Sequence, residues 1–399
     1  MNETKQQVSR GKEIGSLLLS NVRNYAMYVM LAIIFIVFNI TTNGSFLTAR
    51  NITNLVNQTG YVAVIAVGMT LILILQQIDL SVGYLAGFLG GVAAVLLNRG
   101  INVFLVVILV MLGGAVLGLL QGTIVGKLGV PAFITTLAGQ FIFRGLLTLV
   151  TERTGTIRIS NETFTSFSNG FIPSGFMING RHGSALVIGA IAIVTVIISQ
   201  VNERKDLKKY EFFVTPLPLF IFQLLFFSLL ISALTYVLSG YNGISWTIIV
   251  VAVVTAIYNF MLNKMKLGRY IYGTGGNREA AELAGVNVKK IMVFAFISVG
   301  LMAALGGILY TSRIQSATPV AGSGFELDAI ASCYIGGVST SGGVGKVINS
   351  VVGAFVIMSL TNGLNLMGVG ISYQYIIKGV IFILAVAFDV HSQGKKVTA

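Results

Sequence analysis

The chain has 399 residues, of which 55% are hydrophobic and only 10% are charged. An average soluble domain carries about 25% charged residues, so this chain cannot cover a water-facing surface. The same figures exclude a disordered chain. A single cysteine, Cys333, excludes a disulfide framework and a cysteine-based metal cluster, and two histidines are too few for a histidine-rich metal site. We therefore predict no metal ligands.

Long apolar runs predict an all-α polytopic membrane protein. A spanning helix needs about 20 mostly apolar residues, and eleven runs approach this length. A further stretch, 327–338, is short and contains Asp328 and Cys333. We expect about 10–12 transmembrane helices, with at least one broken or short segment. The eleven runs are 25–40, 61–76, 84–97, 103–126, 131–150, 184–199, 216–238, 244–262, 291–311, 347–366 and 371–389.

The basic residues predict the orientation of the chain. If the N-terminus is cytoplasmic and every segment crosses, 18 of the 26 basic residues lie on the cytoplasmic side and 6 on the other. This asymmetry follows the positive-inside rule, so both termini are predicted to be cytoplasmic. The net charge of +13 is spread along one membrane side without interleaved aromatic residues, which argues against a nucleic-acid partner. The six residues on the outer side are Arg50, Arg99, Arg153, Arg158, Arg181 and Arg313.

The chain is predicted to form one membrane domain with short tails. We place the transmembrane domain at 25–390, between a cytoplasmic tail at 1–24 and a second one at 391–399. Within the domain, the polar loop 151–183 faces outward and the basic loop 263–290 faces the cytoplasm. Neither loop is large enough to be a separate domain.

The cytoplasmic loop contains the signals of one short helix. Asn277 is a good N-cap, Glu279 suits the positive N-terminal end of a helix, and Gly285 supplies a C-terminal stop. The pattern predicts a helix over 278–284, outside the bilayer. Three glycines are expected to break the structure before it. They are Gly273, Gly275 and Gly276.

Small residues on this helix suggest a docking surface. Ala280 and Ala281, together with Ala284, are predicted to form a smooth face that suits a cleft of another protein. An ordinary capped surface helix explains the same residues equally well.

Polar residues interrupt the apolar pattern at two points. Asp79 follows the run 61–76, and Ser81 opens the next run. This interruption indicates a broken helix whose unpaired backbone N–H and C=O groups line a cavity. An aspartate in a loop at the inner interface fits nearly as well. Lys378 lies seven residues into the last run. Inserting a charged side chain there costs about 2.5–3.5 kcal/mol unless it is paired with an opposite charge or hydrated. Candidate residues for the translocation path or the broken helix are Gln76, Gln77, Asp79, Ser81 and Lys378.

Two further features of the runs concern packing. Arg144 lies far along the run 131–150, where its long stem can reach the outer interface. Glycines recur every fourth residue in the run 103–126, which lets a neighbouring backbone approach closely. That neighbour is a helix of the same chain or a second copy. The glycines are Gly114, Gly118, Gly122 and Gly126.

The chain has no complete ATP-binding loop. The nearest approach surrounds Gly345 and Lys346, but Thr340 stands where a P-loop needs glycine, and Val347 where it needs serine or threonine. We predict no catalytic residue, no cofactor bound by this chain, and no enzymatic activity of its own.

Five segments resemble the sugar branch of ABC importer permeases. GGNREAAELAGVNVKK, from Gly275, resembles the cytoplasmic coupling motif of that family, with matches at Gly275, Asn277, Ala280, Ala281 and Gly285. The length is similar to that of the longer, xylose-type permeases, whereas the pair Gln76–Gln77 departs from the small residues usual there. The other four segments are IDLSVG (78–83), VPAFITTLAGQFIFRGL (130–146), IGGVSTSGGVGKV (335–347) and QYIIKGVIFILAVAFD (374–389).

The resemblance implies the membrane subunit of an importer for a monosaccharide such as xylose, in a bacterial cell membrane. It implies a permease homodimer surrounded by lipid, an extracytoplasmic sugar-binding protein, and a separate ABC ATPase subunit that carries ATP and Mg²⁺. It also assigns ATPase coupling to Gly275, Asn277, Glu279, Ala280, Ala281 and Gly285.

Two other functions remain open on the sequence. One is an ABC permease for nucleosides or branched-chain amino acids, which the ligand of its binding protein would reveal. The other is an ion-coupled secondary transporter, which needs acidic residues within the membrane. Only Asp79 and Asp328 are available for such a relay.

Overall fold

The computed structural model describes residues 27–152, 155–212 and 214–397. The predicted N-terminal tail at 1–24 lies outside the described residues. The last helix continues to Val397, so most of the predicted C-terminal tail at 391–399 is helical. The boundary expected at residue 390 is therefore not a helix end.

The described residues form fifteen α-helices, one 3-10 helix and four two-residue strands, which confirms the all-α prediction. The short elements are η1 (Ser45–Leu47), β1 (Ile157–Arg158), β2 (Met177–Ile178), β3 (Arg181–His182) and β4 (Ser316–Ala317). The helices are α1 (Met27–Thr41), α2 (Ala49–Ile74), α3 (Val82–Asn98), α4 (Val103–Gly126), α5 (Ala132–Thr151), α6 (Glu162–Asn169), α7 (Gly183–Lys209), α8 (Leu217–Ser239), α9 (Trp246–Lys264), α10 (Lys266–Gly276), α11 (Arg278–Leu283), α12 (Val288–Ile314), α13 (Phe325–Ile335), α14 (Val347–Leu366) and α15 (Ile371–Val397).

Eight of these helices are long and apolar enough to cross a membrane, and three shorter apolar helical stretches accompany them. The three are α1, α3 and the first part of α15. A polytopic membrane protein is therefore confirmed. The doubtful stretch 327–338 is largely the short helix α13. The eight are α2, α4, α5, α7, α8, α9, α12 and α14.

Two groups of four helices share one packing pattern. The groups are α2–α5 and α12–α15. The first helix of the second group, α12, packs on α4 and α3 of the first group. In the same way, the first helix of the first group, α2, packs on α14 and α13 of the second group. In each group a long helix is followed by an irregular connection and a shorter helix, α3 or α13. The membrane domain thus contains two halves, α2–α5 and α12–α15, with α6–α11 inserted between them.

The two halves run in opposite directions through the domain. At one face, Gly343 N donates to Ile74 O at the end of α2 (2.9 Å). At the same face, the end of α4 lies beside the start of α12. A Cβ at Gly126 would be only 2.9 Å from Lys289 O. We call this the basic face, since it carries the loop 263–290. Inverted halves of this kind bring their broken segments together in the middle of a transporter.

The opposite face is formed by the other ends of the same helices. Asn51 Nδ2, near the start of α2, donates to Asn362 Oδ1 near the end of α14 (2.9 Å). Ser312 Oγ, near the end of α12, donates to Phe164 O of α6 (2.8 Å). The loops 151–183 and 263–290 therefore lie at opposite ends of one helix bundle. That the basic face is cytoplasmic remains a prediction from the distribution of lysine and arginine.

The glycine stripe of α4 packs inside the chain. All four stripe glycines abut the backbone or Cβ atoms of α12. A Cβ at Gly122 would lie 2.9 Å from Val293 Cα, and one at Gly126 3.1 Å from Met292 Cβ. Of the two alternatives left open by the sequence, internal helix packing is the one that the structure shows.

The hairpin of α7 and α8 lies at the periphery of the domain. Tyr28 of α1 packs edge-on against Phe226 (6.1 Å between ring centroids) and Phe227 (5.9 Å). On the outer side, Leu229 is 72% exposed and Phe222 68%. An apolar surface of this kind suits contact with lipid, because the helix satisfies its backbone polar groups internally.

Candidate functional site

The predicted short helix on the basic face is present as α11. Asn277 caps it, with Oδ1 accepting a hydrogen bond from Ala280 N (2.9 Å). Gly285 follows at φ 83°, a left-handed conformation that favours glycine. Arg278 and Glu282 form an exposed ion pair one turn apart (3.3 Å). The capping residues thus fold α11 locally, as expected from the sequence.

The outward face of α11 differs from the prediction. Ala281 is buried against its own chain at 7% exposure, whereas Ala280 is exposed. Consecutive helical residues point about 100° apart, so these two alanines do not share one face. The most exposed large apolar side chain is Leu283, at 90%. Sequence reasoning missed Leu283, although a lone leucine among charged residues of a surface helix was a usable signal.

The helix before α11 ends at the last of the three predicted glycines, not at the first. Gly273, Gly275 and Gly276 form the last turn of α10, which ends at Gly276. Gly275 is required for a close contact instead, because a Cβ there would overlap Ile74 O at the end of α2. The segment that leads into α11 is therefore pressed against the first half of the membrane domain.

The predicted break after the run 61–76 is present. α2 ends at Ile74, and α3 starts at Val82. Asp79 Oδ1 accepts hydrogen bonds from Ser81 N (2.8 Å) and Ser81 Oγ (2.7 Å). Gln121 Nε2 of α4 donates to Ser81 Oγ (2.8 Å). Asp79 and Ser81 are both 0% exposed, so Asp79 belongs to a buried turn rather than to a solvated interface loop.

The neighbouring glutamines point to different partners. Gln76 Nε2 donates to Gly275 O (2.8 Å) and Ser341 O (2.7 Å). Gln77 Nε2 donates only weakly, to Leu75 O of its own turn (3.2 Å). The hydrogen bonds thus join Gln76 to the end of α10 and to the loop at Ser341. Neither glutamine bonds to Asp79 or Ser81, and Gln77 lies outside both sets of contacts, so we no longer count Gln77 among the path residues.

The broken segments of the two halves meet at Gly83. A Cβ at Gly83 would overlap Gly322 O and Glu326 Oε2, so only glycine permits this contact. Glu326, in the first turn of α13, is 5% exposed and accepts a hydrogen bond from Gln140 Nε2 of α5 (3.3 Å). Glu326 was not predicted from the sequence. It directly precedes the stretch 327–338, which is too short to cross a membrane.

Lys378 is paired within the domain. Its Nζ lies 2.9 Å from Asp328 Oδ1 and 3.1 Å from Oδ2, and this pair links α15 to α13. The two side chains are 22% and 16% exposed. Because the partners are fifty residues apart, the pairing could not be read from the sequence. A paired charge avoids most of the penalty of an isolated one in the membrane.

We expect Lys378→Ala to lower the free energy of unfolding, whereas the charge exchange Lys378→Asp with Asp328→Lys should retain much of it. Removing one partner of a fully buried pair costs about 3–5 kcal/mol; partial exposure reduces this to about 1–3 kcal/mol. Thermal unfolding of purified variants measures the effect.

The matched control for this ion pair is Lys264→Ala, which removes the exposed partner of Asp206 (3.8 Å). It should change stability by less than about 1 kcal/mol, the usual value of a surface pair. Equal melting temperatures for Lys378→Ala and Lys264→Ala would contradict a structural role for the buried pair.

Comparison with known families identifies the architecture. Residues 51–386 match the family described as the branched-chain amino acid transport system permease component. This match runs from α2 into α15, so it includes the inserted helices and most of both halves. The chain belongs to this permease family. No solved structure matches the permease.

Curated relatives extend along almost the whole permease. It is 36% identical over 376 residues to the xylose transport system permease protein XylH of Haemophilus influenzae, which covers 94% of this chain and 98% of that protein. The Escherichia coli K12 protein of the same name is 34% identical, over 97% of both chains. The ribose import permease protein RbsC of Escherichia coli K12 is 33% identical, over 91% of this chain and 92% of that protein.

Proposed function

We propose that the permease is the membrane-spanning subunit of an ABC importer for a monosaccharide, with xylose as the first candidate. The observation that carries this proposal is the full-length similarity to xylose and ribose transport permeases. A fold of inverted halves whose broken segments meet in the interior agrees with alternating access around a central path. The multi-pass architecture agrees with a location in a bacterial cell membrane.

The basic face supplies the docking surface for a separate ATPase, which carries ATP and Mg²⁺. The chain itself contains no complete P-loop. α11 lies at that face, with Glu279, Glu282 and the 90% exposed Leu283 directed away from the permease. A pocket of the ATPase that covered Leu283 would remove this apolar surface from water, which is favourable. The sugar-binding protein then docks on the opposite face, which carries the loop 151–183.

A second copy of the permease covers the face of α5. Arg144 is exposed there, and its guanidinium lies 5.7 Å from the ring centroid of Tyr84, near the start of α3. The guanidinium therefore sits beside the broken segment instead of extending to the end of α5. Exposing a charge to lipid at this depth is costly, whereas polar groups on a second copy would accommodate it.

The meeting point of the halves has the chemistry to receive a sugar. Asp79 Oδ2 and Glu326 Oε2 are buried, and neither has a hydrogen-bond donor among the described residues. Unpaired buried acceptors are costly, and a neutral polyol offers hydroxyl donors. When the halves separate during transport, the hydroxyls of the sugar supply these missing donors. Asp79 and Ser81 thereby line the path, while Lys378 holds α15 beside it.

Reconstitution tests this proposal. The permease is placed in proteoliposomes with its partner ATPase and sugar-binding protein, and uptake of labelled xylose, ribose and leucine is measured with and without ATP. We expect ATP-dependent uptake of xylose above the other two. Uptake of leucine alone would replace the proposal by the branched-chain amino acid function of the family description. Sugar uptake without ATP or ATPase would indicate a secondary transporter.

A further inference from the structure

Three segments meet at the basic face: the end of α2, the end of α10, and the loop between α13 and α14. We call this contact the three-way junction. Gly343 N donates to Ile74 O (2.9 Å), and a Cβ at Gly343 would lie 2.7 Å from Gly276 Cα. A Cβ at Gly342 would lie 2.7 Å from Gly275 O. The three backbones are therefore in direct contact at these glycines.

Gln76 is the side chain that ties these backbones together. Its amide donates to Gly275 O (2.8 Å) in α10 and to Ser341 O (2.7 Å) in the loop, while its own backbone directly follows the end of α2. Its φ of 59° is uncommon for a residue other than glycine. A costly conformation that places one side chain between two other segments is the kind of strain that functional contacts retain.

Each of the three segments leads to a different part of the molecule. Gly275 and Gly276 directly precede Asn277, the cap of α11. Gln76 opens the broken segment that contains Asp79 and Ser81. The loop at Ser341 connects α13 to α14, so it controls the position of the short helix of the second half. A displacement of α11 therefore reaches both halves through one junction.

A second contact ties α10 to the same loop. Tyr272 Oη donates to Gly345 O (2.7 Å). This bond does not include α2, so it cannot by itself pass a movement of α11 to the first half. The amide of Gln76 differs in this respect, because it belongs to the chain that leaves α2 and bonds to both other segments.

We propose that Gln76 is the positioning residue that transmits the movement of α11 to the broken segments of both halves. The inference rests on the proposed function, because it assumes that an ATPase moves α11. Gln76 does not contact sugar in this role; it makes the two halves respond together. Loss of its hydrogen bonds should separate ATP hydrolysis from sugar movement without releasing the ATPase.

The test replaces Gln76 by glutamate, which has the same shape but, when ionised, donates no hydrogen bond and repels the two carbonyl oxygens. Gln77→Glu is the matched control, since it makes the same change one residue later, outside the junction. Gln76→Gly is a second variant, which removes the amide while tolerating the positive φ. The measured quantity is the number of sugar molecules taken up per ATP hydrolysed in proteoliposomes with the ATPase and binding protein.

We expect this ratio to fall about tenfold or more in Gln76→Glu and Gln76→Gly, the factor that corresponds to about 1.4 kcal/mol of coupling. It should stay within about twofold in Gln77→Glu, which loses a single weak hydrogen bond. Co-purification of the ATPase should be unchanged in all three variants. A merely structural role would lower the melting temperature of the Gln76 variants and leave the ratio intact, and that result would overturn the inference.

A failure of the proposed function and a failure of the Gln76 inference give different results. Absence of ATP-dependent uptake by the unaltered permease would overturn the proposed function and this inference with it. Normal coupling in Gln76→Gly, with the unaltered permease active, would overturn the inference alone. Amide hydrogen exchange of residues 336–346 adds a readout in the isolated permease: it should accelerate in Gln76→Glu and not in Gln77→Glu. Equal exchange in the two variants would show that Gln76 does not hold the junction.

Discussion

Gly118→Leu is expected to prevent the permease from reaching a stable folded state. A Cβ at Gly118 would overlap Phe296 O and lie 2.9 Å from Ile297 Cα of α12. These are backbone atoms, which cannot turn aside as the end of a flexible side chain can. Small residues let membrane helices pack this closely, so a leucine must push α4 and α12 apart along their shared length.

The expected loss is large compared with the stability of a folded domain. Overpacking a dense core by a few methylene groups costs about 1–3 kcal/mol, and separating two backbones adds the loss of their contacts. A folded protein has only about 5–15 kcal/mol in total. We expect little or no monodisperse protein by size-exclusion chromatography, and a lowered melting temperature in the milder variant Gly118→Ala.

Gly113→Leu is the matched control on the same helix. A Cβ at Gly113 would meet only Leu89 Cδ2, at 3.3 Å, and that terminal methyl can rotate away. The variant should fold, with a small change in melting temperature. If Gly118→Leu folded as well as Gly113→Leu, the close packing of α4 on α12 would be wrong.

Leu283→Asp is expected to release the partner ATPase while leaving the permease folded. Leu283 is 90% exposed, so a polar residue disturbs nothing within the chain. Burying a leucine in a partner's pocket contributes about 1.5–3 kcal/mol, and its loss weakens binding about 10- to 150-fold. The measurements are co-purification of the ATPase and ATP-dependent sugar uptake, both of which should be lost.

Leu128→Asp controls for the change of residue type on the same basic face. Leu128 follows the end of α4 and is 71% exposed, but it lies outside α11. It should keep both the ATPase and transport. Normal uptake by Leu283→Asp with the ATPase bound would show that α11 is an ordinary surface helix. Ala281→Trp would not settle this question, because Ala281 is packed against the permease itself.

Features set by neighbouring residues were accessible from the sequence. The apolar runs predicted the spanning helices, because length and hydropathy alone decide whether a segment crosses a bilayer. Asn277 and Gly285 predicted the ends of α11, because a capping side chain bonds within three residues of itself. The interruption at Asp79 and Ser81 predicted the break between α2 and α3 for the same local reason.

Features that depend on distant residues appeared only in the tertiary structure. The sequence placed Gln76 with Asp79, yet the fold directs its amide to Gly275 and Ser341. The tertiary structure also pairs Lys378 with Asp328 and packs the glycine stripe of α4 against α12. Lipid is as apolar as the side chains that it contacts, so hydrophobicity shows which segments enter the membrane but not which neighbours they choose. Which helices pack together depends on shape complementarity and polar pairing between segments far apart in the chain, and a local sequence pattern contains neither.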